Sequence, residues 1–411
     1  MSADRCRSCE AELRLPLCDL GMSPLSNANV TIEDLARGEM FFPLCPMVCE
    51  SCWLVQLPQV ERPDRIFSDD YAYFSSYSDS WLAHSRAYCE QMCRRLALGP
   101  RSQVVEIASN DGYLLQYFKA SGIPVLGIEP AANCAEVAQA KGIETRTEFF
   151  GRDTASRLAA EGLQADLLLG NNVLAHVPDI NDFAAGLKIA LKSSGVVTME
   201  FPHLLQLIRH GQFDTIYHEH YSYLSLMAVS EIFARHGLSI FDVEELTTHG
   251  GSLRIFARHA EDGSHVEANV ANFQSVERRA GLDRASTYQD FGRHVQESKR
   301  KLLTFLIRAK EEGRRVWGYG APAKGNTLLN YCGIRSDLVE ATVDRSPHKQ
   351  GRFLPGSRIP IYAPDRLVDA RPDFVLILPW NLRDEIVEKM SIVRSWGGRF
   401  LIPVPEVTVL P

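Results

Sequence analysis

The stretch Val104-Val-Glu-Ile-Ala-Ser-Asn-Asp-Gly112 joins a short apolar run to small and polar residues, and an amphipathic segment, Tyr113 to Ser121, follows it. A run of this length is typical of a buried strand, and the small residues are typical of a tight turn. The pattern therefore predicts a strand, a turn and a helix. In doubly wound α/β sheets such a turn lies at the carboxyl edge, where ligands bind.

The same alternation of apolar runs and amphipathic segments continues on both sides of a charged stretch at about 263–312, for which helices are predicted. Strands are predicted at Val104–Ala108, Val125–Glu129, Ala165–Gly170, Gly195–Phe201, a closing pair within 238–258, and then Arg315–Gly318, Glu340–Val343 and Phe374–Leu378. Alternating strands and helices favour parallel sheets with right-handed crossovers. We therefore predict two doubly wound α/β units.

The composition limits the classes of protein that the chain can belong to. It has 411 residues, and this length is more than one hydrophobic core usually supports. With 45% hydrophobic and 23% charged residues, the composition is that of an ordinary globular protein. The net charge of −7, with no run of basic residues, argues against a nucleic-acid partner. No stretch approaches the roughly 20 apolar residues of a membrane span. The first nine residues are polar, unlike a signal peptide, so we expect a cytoplasmic chain without a membrane partner.

Four of the ten cysteines form two C-x-x-C pairs, Cys6 with Cys9 and Cys49 with Cys52. Two such pairs can complete a tetrahedral four-thiolate zinc site, which is structural because it leaves no position for water or substrate. The alternatives are two unrelated pairs, a redox role, or a contribution from Cys45 as a substitute ligand. We predict structural zinc bound by the four paired cysteines.

The turn after the first strand has features of a cofactor site. Glu106 and Asp111 supply carboxylates suited to an ammonium group, and small residues at Ala108 and Gly112 let a ligand approach the backbone. Glu129, at the end of the next strand, suits a ribose diol. Because the turn lacks the G-x-G-x-x-G fingerprint, an adenosine cofactor with an amino-acid tail fits better than NAD. The alternative is a generic α/β turn.

A second segment predicts further polar side chains at the same edge of the sheet. Asn171 and Asn172 follow the third predicted strand of the unit, so their side chains would face the same ligand. The residues predicted to line the cofactor are Glu106, Ala108, Asn110, Asp111, Gly112, Glu129, Asn171 and Asn172.

The densest polar and aromatic segment is Phe213-Asp-Thr-Ile-Tyr-His-Glu-His-Tyr-Ser-Tyr223. A turn would bring Tyr217, Glu219 and His220 together. A histidine base oriented by a carboxylate suits removal of a proton next to a carbonyl, and a tyrosine hydroxyl suits the resulting enolate oxygen. Two alternatives remain open: a second metal site formed by His218 and His220, and a packed polar loop.

Two loops of the last unit carry glycine and basic residues. Gly318-Tyr-Gly-Ala-Pro-Ala-Lys-Gly-Asn326 follows a predicted strand and opens a helix, whose start favours anions. The second loop is His348-Lys-Gln-Gly-Arg-Phe-Leu-Pro-Gly356, and the two could close on one diphosphate. The alternative is that these are solvated charges on ordinary turns. The predicted substrate-binding residues are Tyr319, Lys324, Asn326, Lys349 and Arg352.

With these motifs the chain resembles the sugar C-methyltransferases of deoxysugar biosynthesis, which methylate C-3 of dTDP-linked 4-keto-deoxysugars. The resemblance covers nearly the whole chain. It rests on the two cysteine pairs, Phe74-Ser-Ser-Tyr-Ser78, Glu106-Ile-Ala-Ser-Asn-Asp-Gly112, Tyr217-His-Glu-His-Tyr221 and Gly318-Tyr-Gly-Ala-Pro-Ala-Lys-Gly-Asn326.

The resemblance implies a zinc-binding module at 1–70, a Rossmann-like S-adenosylmethionine (SAM)-dependent methyltransferase domain at 71–283 and a doubly wound nucleotide-sugar-binding domain at 284–411. It implies SAM as cofactor, a nucleotide-linked keto-deoxysugar as substrate and a monomer. His220 matches the general base, with Tyr217 and Glu219 beside it. His176 and Tyr71 match further active-site positions.

Other activities remain open at this point. An O- or N-methyltransferase would use the same cofactor and a nucleotide sugar but would need no enolising base. A C-methyltransferase acting on a GDP-sugar would differ in the nucleotide alone. A zinc-containing RNA methyltransferase conflicts with the acidic balance of the chain, and a non-enzymatic binding module has no need of the Tyr217–His220 run.

Overall fold

The computed structural model describes residues 5–62, 74–263 and 265–411. These residues form two compact units. Unit 1 is drawn from Met1–Leu13, Cys49–Leu204 and Tyr221–Asp283, and unit 2 from Arg14–Val48, Leu205–His220 and Arg284–Pro411. Tyr71, one of the predicted active-site residues, lies outside the described residues.

The strands and helices alternate along most of the chain. The strands are β1 (Leu15–Pro16), β2 (Met22–Ser23), β3 (Phe42–Pro43), β4 (Met47–Val48), β5 (Val55–Gln56), β6 (Val104–Ile107), β7 (Val125–Ile128), β8 (Thr145–Arg146), β9 (Ala165–Asn171), β10 (Leu191–Pro202), β11 (Ser222–Tyr223), β12 (Leu238–Leu246), β13 (Ser252–His259), β14 (Val316–Tyr319), β15 (Thr342–Val343), β16 (Ile361–Tyr362), β17 (Phe374–Ile377), β18 (Arg399–Ile402) and β19 (Thr408–Leu410). The helices are α1 (Asp79–Arg95), α2 (Leu115–Ala120), α3 (Ala132–Ala140), α4 (Arg152–Ala160), α5 (Ile180–Ala190), α6 (Leu204–Arg209), α7 (Leu226–Arg235), α8 (Ala268–Arg279), α9 (Ala285–Glu311), α10 (Ala323–Cys332), α11 (Arg366–Ala370) and α12 (Arg383–Lys389).

Unit 1 is built on a seven-stranded sheet with the order β12-β13-β10-β9-β6-β7-β8. Strands β8, β7, β6, β9 and β10 run parallel, whereas β13 is antiparallel to both of its neighbours. All four residues of β6 are buried, as expected for a central strand covered on both faces. The parallel sheet and the closing pair of strands predicted from the sequence are confirmed.

A buried ion network ties helix α1 to the sheet of unit 1. The Glu200 carboxylate accepts hydrogen bonds from Arg254 Nε at 2.8 Å and Nη2 at 2.6 Å, and its other oxygen lies 2.9 Å from His84 Nε2. Burial by itself would raise the pKa of Glu200, but the His84 hydrogen bond and the charge of Arg254 lower it overall. The network therefore keeps this buried carboxylate ionised beside the carboxyl edge of the sheet.

Unit 2 is built on a six-stranded sheet with the order β16-β15-β14-β17-β18-β19. The first five of these strands run parallel, and β19 is antiparallel to β18. Helix α10 begins at Ala323, directly after the loop that follows β14, as the sequence predicts. The unit also contains residues 14–48 and 205–220, which lie far from this sheet in the sequence.

The structure confirms the predicted α/β class, and no described helix is both long enough and apolar enough to cross a lipid bilayer. The longest, α9, has 27 residues and alternates buried and charged positions. The predicted boundaries at residues 70 and 283 stay predictions, since compactness groups the chain in discontinuous segments.

Replacing Arg254 with leucine should destabilise unit 1, because Glu200 would remain buried without its cation. Breaking a buried pair from one side costs about 3–5 kcal/mol. Urea unfolding followed by tryptophan fluorescence measures the loss. The control is Arg308→Leu, which removes a solvent-exposed pair with Glu312 and should cost less than about 1 kcal/mol. Equal effects of the two substitutions would contradict the importance of the network.

Candidate active site and zinc centre

The four paired cysteines come together in unit 1. Their sulfur atoms all lie within 4.8 Å of one another, with 3.5 Å between Cys6 and Cys52 and 3.5 Å between Cys9 and Cys49. A tetrahedral zinc ion with Zn–S distances of about 2.3 Å requires sulfur separations of about 3.8 Å. The donor set therefore fits zinc, which would cross-link the two pairs. Cys45 is not a member of this group.

Both cysteine pairs adopt the same local turn. Glu10 directly follows the first pair and has a φ of 62°, and Trp53 directly follows the second and has a φ of 58°. In each turn this residue donates its backbone N–H to the carbonyl of the first cysteine, Cys6 at 2.9 Å and Cys49 at 2.8 Å. The left-handed residue reverses the chain, so both thiol groups of a pair face the same point.

The turn after β6 has an unusual backbone. Ala108, Asn110 and Gly112 have φ values of 56°, 48° and 73°. Glycine is required at 112 because a Cβ atom there would lie 2.4 Å from Ile143 Cδ1. Alternating left-handed residues fold the loop tightly against the carboxyl ends of the strands, where a doubly wound sheet binds its ligand.

Glu129 holds this turn in place. Its two carboxylate oxygens accept backbone N–H groups of Asn110 and Ala131, each at 2.8 Å. Burial raises the pKa of Glu129 to about 7. Asn110 in turn accepts the N–H of Ser75 at 2.8 Å. Glu129 is thus a structural support of the loop, and its predicted contact with a ribose stays a prediction.

Several buried polar atoms at this edge of the sheet lack hydrogen-bond partners among the described residues. They are Oδ1 of Asp111 and both side-chain amide atoms of Asn171. Burial, with the nearby Glu129 and Asp111 carboxylates, raises the pKa of Glu106 well above its usual range, and a hydrogen bond with Tyr113 opposes this shift. Because buried polar groups are normally paired, this set fits a polar, cationic ligand such as the amino-acid part of SAM.

The loop after β9 carries two more predicted residues. Asn172 is left-handed, with a φ of 57°, and its side-chain amide lies 3.2 Å from His249 Nε2. His249 is itself left-handed and meets the Trp81 ring edge-on at 5.0 Å. His176 ends a 3₁₀ turn in the same loop. Sequence reasoning missed His249, whose only signal was a histidine before two glycines.

In unit 2 the polar run forms the predicted turn. The backbone N–H of His220 donates to the carbonyl of Tyr217 at 2.9 Å, and the two rings pack with their centroids 4.1 Å apart. His220 Nδ1 lies 2.9 Å from the carbonyl oxygen of Thr215. Since a carbonyl can only accept, Nδ1 carries the proton, and in the neutral imidazole Nε2 then carries the lone pair. This geometry suits the predicted role of His220 as a base, which stays a prediction.

Glu219 and His218 point to other partners. Glu219 accepts a hydrogen bond from Asn27 at 2.6 Å, and burial raises its pKa to about 7, an effect that the charge of Lys349 reduces. The Thr215 carbonyl is thus a partner of His220 that the sequence did not predict, and the orientation of His220 by Glu219 stays a prediction. His218 Nε2 lies 3.1 Å from the Pro43 carbonyl.

The metal-site alternative for the two histidines finds no support in the described ranges, where the one cluster able to hold a metal is that of the four cysteines. His218 also packs edge-on against Phe42, with 5.8 Å between the ring centroids. The separate backbone partners of His218 and His220 favour two different tasks for these rings.

The predicted substrate-binding residues of unit 2 have mixed surroundings. Lys324 donates to Asn381 at 2.7 Å, and Lys349 donates to the Ala321 carbonyl at 2.9 Å. Asn326 is almost fully buried, and its amide lies 3.3 Å from the Ser26 carbonyl. Tyr319 is buried at the end of β14, and Arg352 is exposed. Anion binding by this group stays a prediction.

Sequence reasoning missed three hydrogen-bonding residues in unit 2: the half-buried Asn27 and the buried Asp214 and Trp380. Trp380 donates its indole N–H to Asp214 at 2.6 Å, and burial raises the pKa of Asp214 to about 6. Asp214 lies inside the polar run and could have been noticed there. Asn27 and Trp380 had no local signal, because their contacts join distant parts of the sequence.

Three family models match the chain in order. A zinc binding domain matches residues 6–67, a methyltransferase domain matches residues 81–243 and a C-methyltransferase C-terminal domain matches residues 247–405. These matches agree with the four-thiol cluster and with the buried acids Glu106 and Asp111 at the carboxyl edge of the sheet. The protein is a SAM-dependent methyltransferase with a structural zinc site.

A relative of the same length defines the group more narrowly. The chain is 36% identical over 407 residues to C-methyltransferase NovU of Streptomyces niveus, a match that covers 99% of this chain and 97% of that protein. The chain therefore belongs to the C-methyltransferase family that its motifs resemble, and it catalyses SAM-dependent C-methylation.

Two more distant similarities cover only part of the chain. The ubiquinone biosynthesis O-methyltransferase of Bartonella quintana is 31% identical over 96 residues, which are 23% of this chain and 39% of that protein. The 1,6-didemethyltoxoflavin-N1-methyltransferase of Burkholderia thailandensis has a TM-score of 0.37 and 17% identity, over 50% of this chain and 94% of that structure.

Replacing Cys49 with serine should remove zinc from the protein and unfold the segments that the two cysteine pairs hold together, because structural zinc contributes directly to folding. Zinc content by mass spectrometry and circular dichroism measure both effects. Cys45→Ser is the control and should keep the zinc. A Cys49→Ser protein that is folded and active without zinc would contradict a structural role.

Glu106→Gln should weaken SAM binding while stabilising the ligand-free protein. A hydrogen bond to a charged group is worth about 1.5–3 kcal/mol, or ~10–100-fold in Kd. The folded pKa of Glu106 is raised, so wild-type stability falls as pH rises above its ordinary range, and the glutamine variant lacks this loss. Calorimetry and thermal melts at pH 6 and 8 measure both effects.

The control for this test is Glu161→Gln, which changes an acid on the surface that pairs with Arg146. It should leave SAM affinity unchanged. Unaltered affinity in Glu106→Gln would remove this carboxylate from the predicted cofactor site.

Proposed function

We propose that the methyl group is placed on C-3 of a nucleotide-linked 4-keto-deoxysugar, with dTDP as the nucleotide, and that the reaction passes through an enolate formed by His220. The observation that carries the proposal is the 2.9 Å hydrogen bond from His220 Nδ1 to the Thr215 carbonyl. It gives this buried imidazole the lone pair at Nε2 that proton removal requires.

The ketone makes the hydrogen on the neighbouring carbon acidic, and Nε2 of His220 takes this proton. The ordinary pKa of histidine, about 6.5, lies near neutral pH, where a general base is most effective. Bound SAM would supply an electrophilic methyl group, and its methyl–sulfur bond would break with the electron pair leaving on sulfur in S-adenosylhomocysteine. The electron pair left on C-3 after deprotonation forms the new carbon–carbon bond.

Enolate formation places negative charge on the ketone oxygen, which needs a hydrogen-bond donor. Tyr217 packs against the His220 ring and brings a phenol hydroxyl to the same turn. Tyr71, which the family resemblance implies as a second donor, lies outside the described residues. We assign the enolate oxygen to Tyr217, with Tyr71 as the alternative donor.

The remaining polar groups of unit 2 suit the sugar and its nucleotide. Glu219, with a pKa of about 7 and a hydrogen bond from Asn27, can accept from or donate to a sugar hydroxyl near neutral pH. Tyr319 ends β14, and Lys349 is hydrogen-bonded to the loop that follows this strand. Ligands bind at such strand ends in doubly wound sheets, which supports a nucleotide-sugar site here.

His220→Asn should lower turnover by ~10²–10⁴-fold while both ligands still bind, since this is the usual contribution of a positioned base. The measurement uses dTDP-linked 3-hydroxy- or 3-amino-4-keto-2,6-dideoxyglucose with SAM, followed by mass spectrometry and proton NMR. His218→Asn is the matched control, because its ring is held by the Pro43 carbonyl, and should remain active. Full activity of His220→Asn would exclude His220 as the base.

Exchange with deuterated water separates C-methylation from its rivals. The wild-type protein should exchange the C-3 hydrogen of the sugar, and His220→Asn should not. A methylated product that retains its C-3 proton signal would instead show O- or N-methylation. Methylation of the GDP-linked sugar but not the dTDP-linked one would correct the nucleotide.

Tyr217→Phe should lower turnover less than His220→Asn, because a neutral hydroxyl donor contributes less than the base. The comparison uses the same assay under saturating SAM. Unchanged turnover in this variant would assign the enolate oxygen to Tyr71 alone.

A further inference from the structure

The 3₁₀ turn Phe213–Thr215 carries the carbonyl group that orients His220. All three residues of the turn are buried. A backbone carbonyl can impose a tautomer on an imidazole only if the carbonyl itself stays in place. The contacts that hold this turn therefore bear on the chemistry of His220, although they lie away from the ring.

Helix α10 holds the turn from one side. Thr327 is buried on this helix and donates its hydroxyl to the carbonyl of Ile216 at 3.0 Å, one residue beyond the turn. Tyr331, one helical turn further on, meets Phe213 edge-to-face with ring centroids 5.4 Å apart. These two contacts flank the Thr215 carbonyl in the sequence, so they fix the chain on both sides of it.

The loop after β17 holds the turn from another side. Trp380 donates its indole N–H to Asp214 Oδ2 at 2.6 Å, and Asp214 is fully buried. Lys324 lies 4.7 Å from the centre of the Trp380 ring and donates to Asn381 at 2.7 Å. The lysine cation also lowers the cost of the buried Asp214 carboxylate. The indole is thus fixed by its neighbours and can hold the aspartate rigidly.

We propose that Trp380 and Thr327 are positioning residues for His220, because they hold the turn whose Thr215 carbonyl keeps the imidazole proton on Nδ1. Without a fixed acceptor at Nδ1, the proton of a neutral imidazole can occupy either nitrogen, and Nε2 loses its lone pair in part of the molecules. The catalytic consequence rests on the proposed role of His220 as base, whereas the tautomer itself does not.

The same proposal gives Lys324 a second role beside its predicted one. The sequence predicted Lys324 as a ligand of the substrate diphosphate. Its ammonium group also contacts Asn381 and the Trp380 ring, within the group of residues that supports Asp214. The loop that carries Lys324 would then contact both the predicted nucleotide sugar and the residues that support the turn beside His220.

The test compares Trp380→Phe and Thr327→Val with the wild type. Phenylalanine keeps an aromatic ring beside Lys324 but removes the N–H donor, and valine keeps the shape of threonine but removes the hydroxyl. The matched control is Trp317→Phe, since Trp317 is buried in the same unit and donates its indole N–H to a different acid, Glu340, at 3.0 Å.

Two readouts are needed. Steady-state kinetics should show kcat lowered ~10–100-fold in both variants with the KM for the sugar nearly unchanged, as expected when a reacting group is slightly misplaced. Proton–nitrogen correlation NMR on ¹⁵N-histidine protein, with the His220 signal assigned by its loss in His220→Asn, should show the Nδ1–H form in the wild type and a mixture in both variants. Trp317→Phe should match the wild type in both.

The outcomes separate this proposal from the proposed function. The wild-type tautomer of His220 in both variants would overturn the positioning role, even if kcat fell, because the contacts would then serve folding alone. A tautomer mixture with unchanged kcat would confirm that the turn is held as described and would contradict His220 as the base. Thermal melts identify a variant that fails to fold, and the other variant then decides.

Discussion

Parallel strands bring their carboxyl ends to one edge of a sheet, and this constraint decides where the buried charge of the protein lies. In unit 1 the ends of β6 and β9 carry Glu106 and Asn171. The side-chain amide atoms of Asn171 have no partner within the described part of the chain, and Glu106 is buried beside the acids Glu129 and Asp111. Leaving such groups buried is costly unless a ligand pairs them. Buried polar groups without partners therefore lower the free energy of unfolding at the edge where the cofactor is predicted to bind.

Two neighbouring acids at this edge have partners, which limits the loss of stability. Glu129 accepts two backbone N–H groups from the left-handed turn, and Glu200 is paired with Arg254 and His84. Glu106 is also buried, but its pKa is raised well above the usual range, so its negative charge is less well compensated than that of Glu200. This contrast supports the prediction that Glu106 contacts the cofactor.

In unit 2 the main constraint acts on the His220 imidazole, whose Nδ1 atom is held against the Thr215 carbonyl. The turn that carries the Thr215 carbonyl comes from residues 205–220, whereas the contacts that hold the turn come from α10 and from the loop after β17. A base placed on a short loop would otherwise sample several orientations. Packing the loop into the core of a rigid α/β unit removes this freedom.

Much of the site could be predicted from the sequence where spacing alone determines the chemistry. Each C-x-x-C pair supplies two ligands of a tetrahedral site through its own local turn, so the spacing of the cysteines was enough to predict the site. The short run at 104–107 likewise predicted a buried strand. The sequence did not predict the contacts that join distant parts of the chain. Glu219 is hydrogen-bonded to Asn27, 192 positions away, and Lys324 donates to Asn381. The roles of Glu219 beside His220 and of Lys324 at a diphosphate stay predictions.

The sequence by itself determined the α/β class and the four cysteines of the zinc cluster, and it predicted the cofactor edge of the first sheet and the catalytic run from Tyr217 to His220, because each depends on short motifs. The tertiary structure decided which acids are paired, which nitrogen of His220 faces the Thr215 carbonyl and which residues contact the turn that carries it. Most of these partners lie far apart in the chain, 54 positions for Glu200 with Arg254, 166 for Trp380 with Asp214 and 111 for Thr327 with Ile216, and no local pattern specifies them.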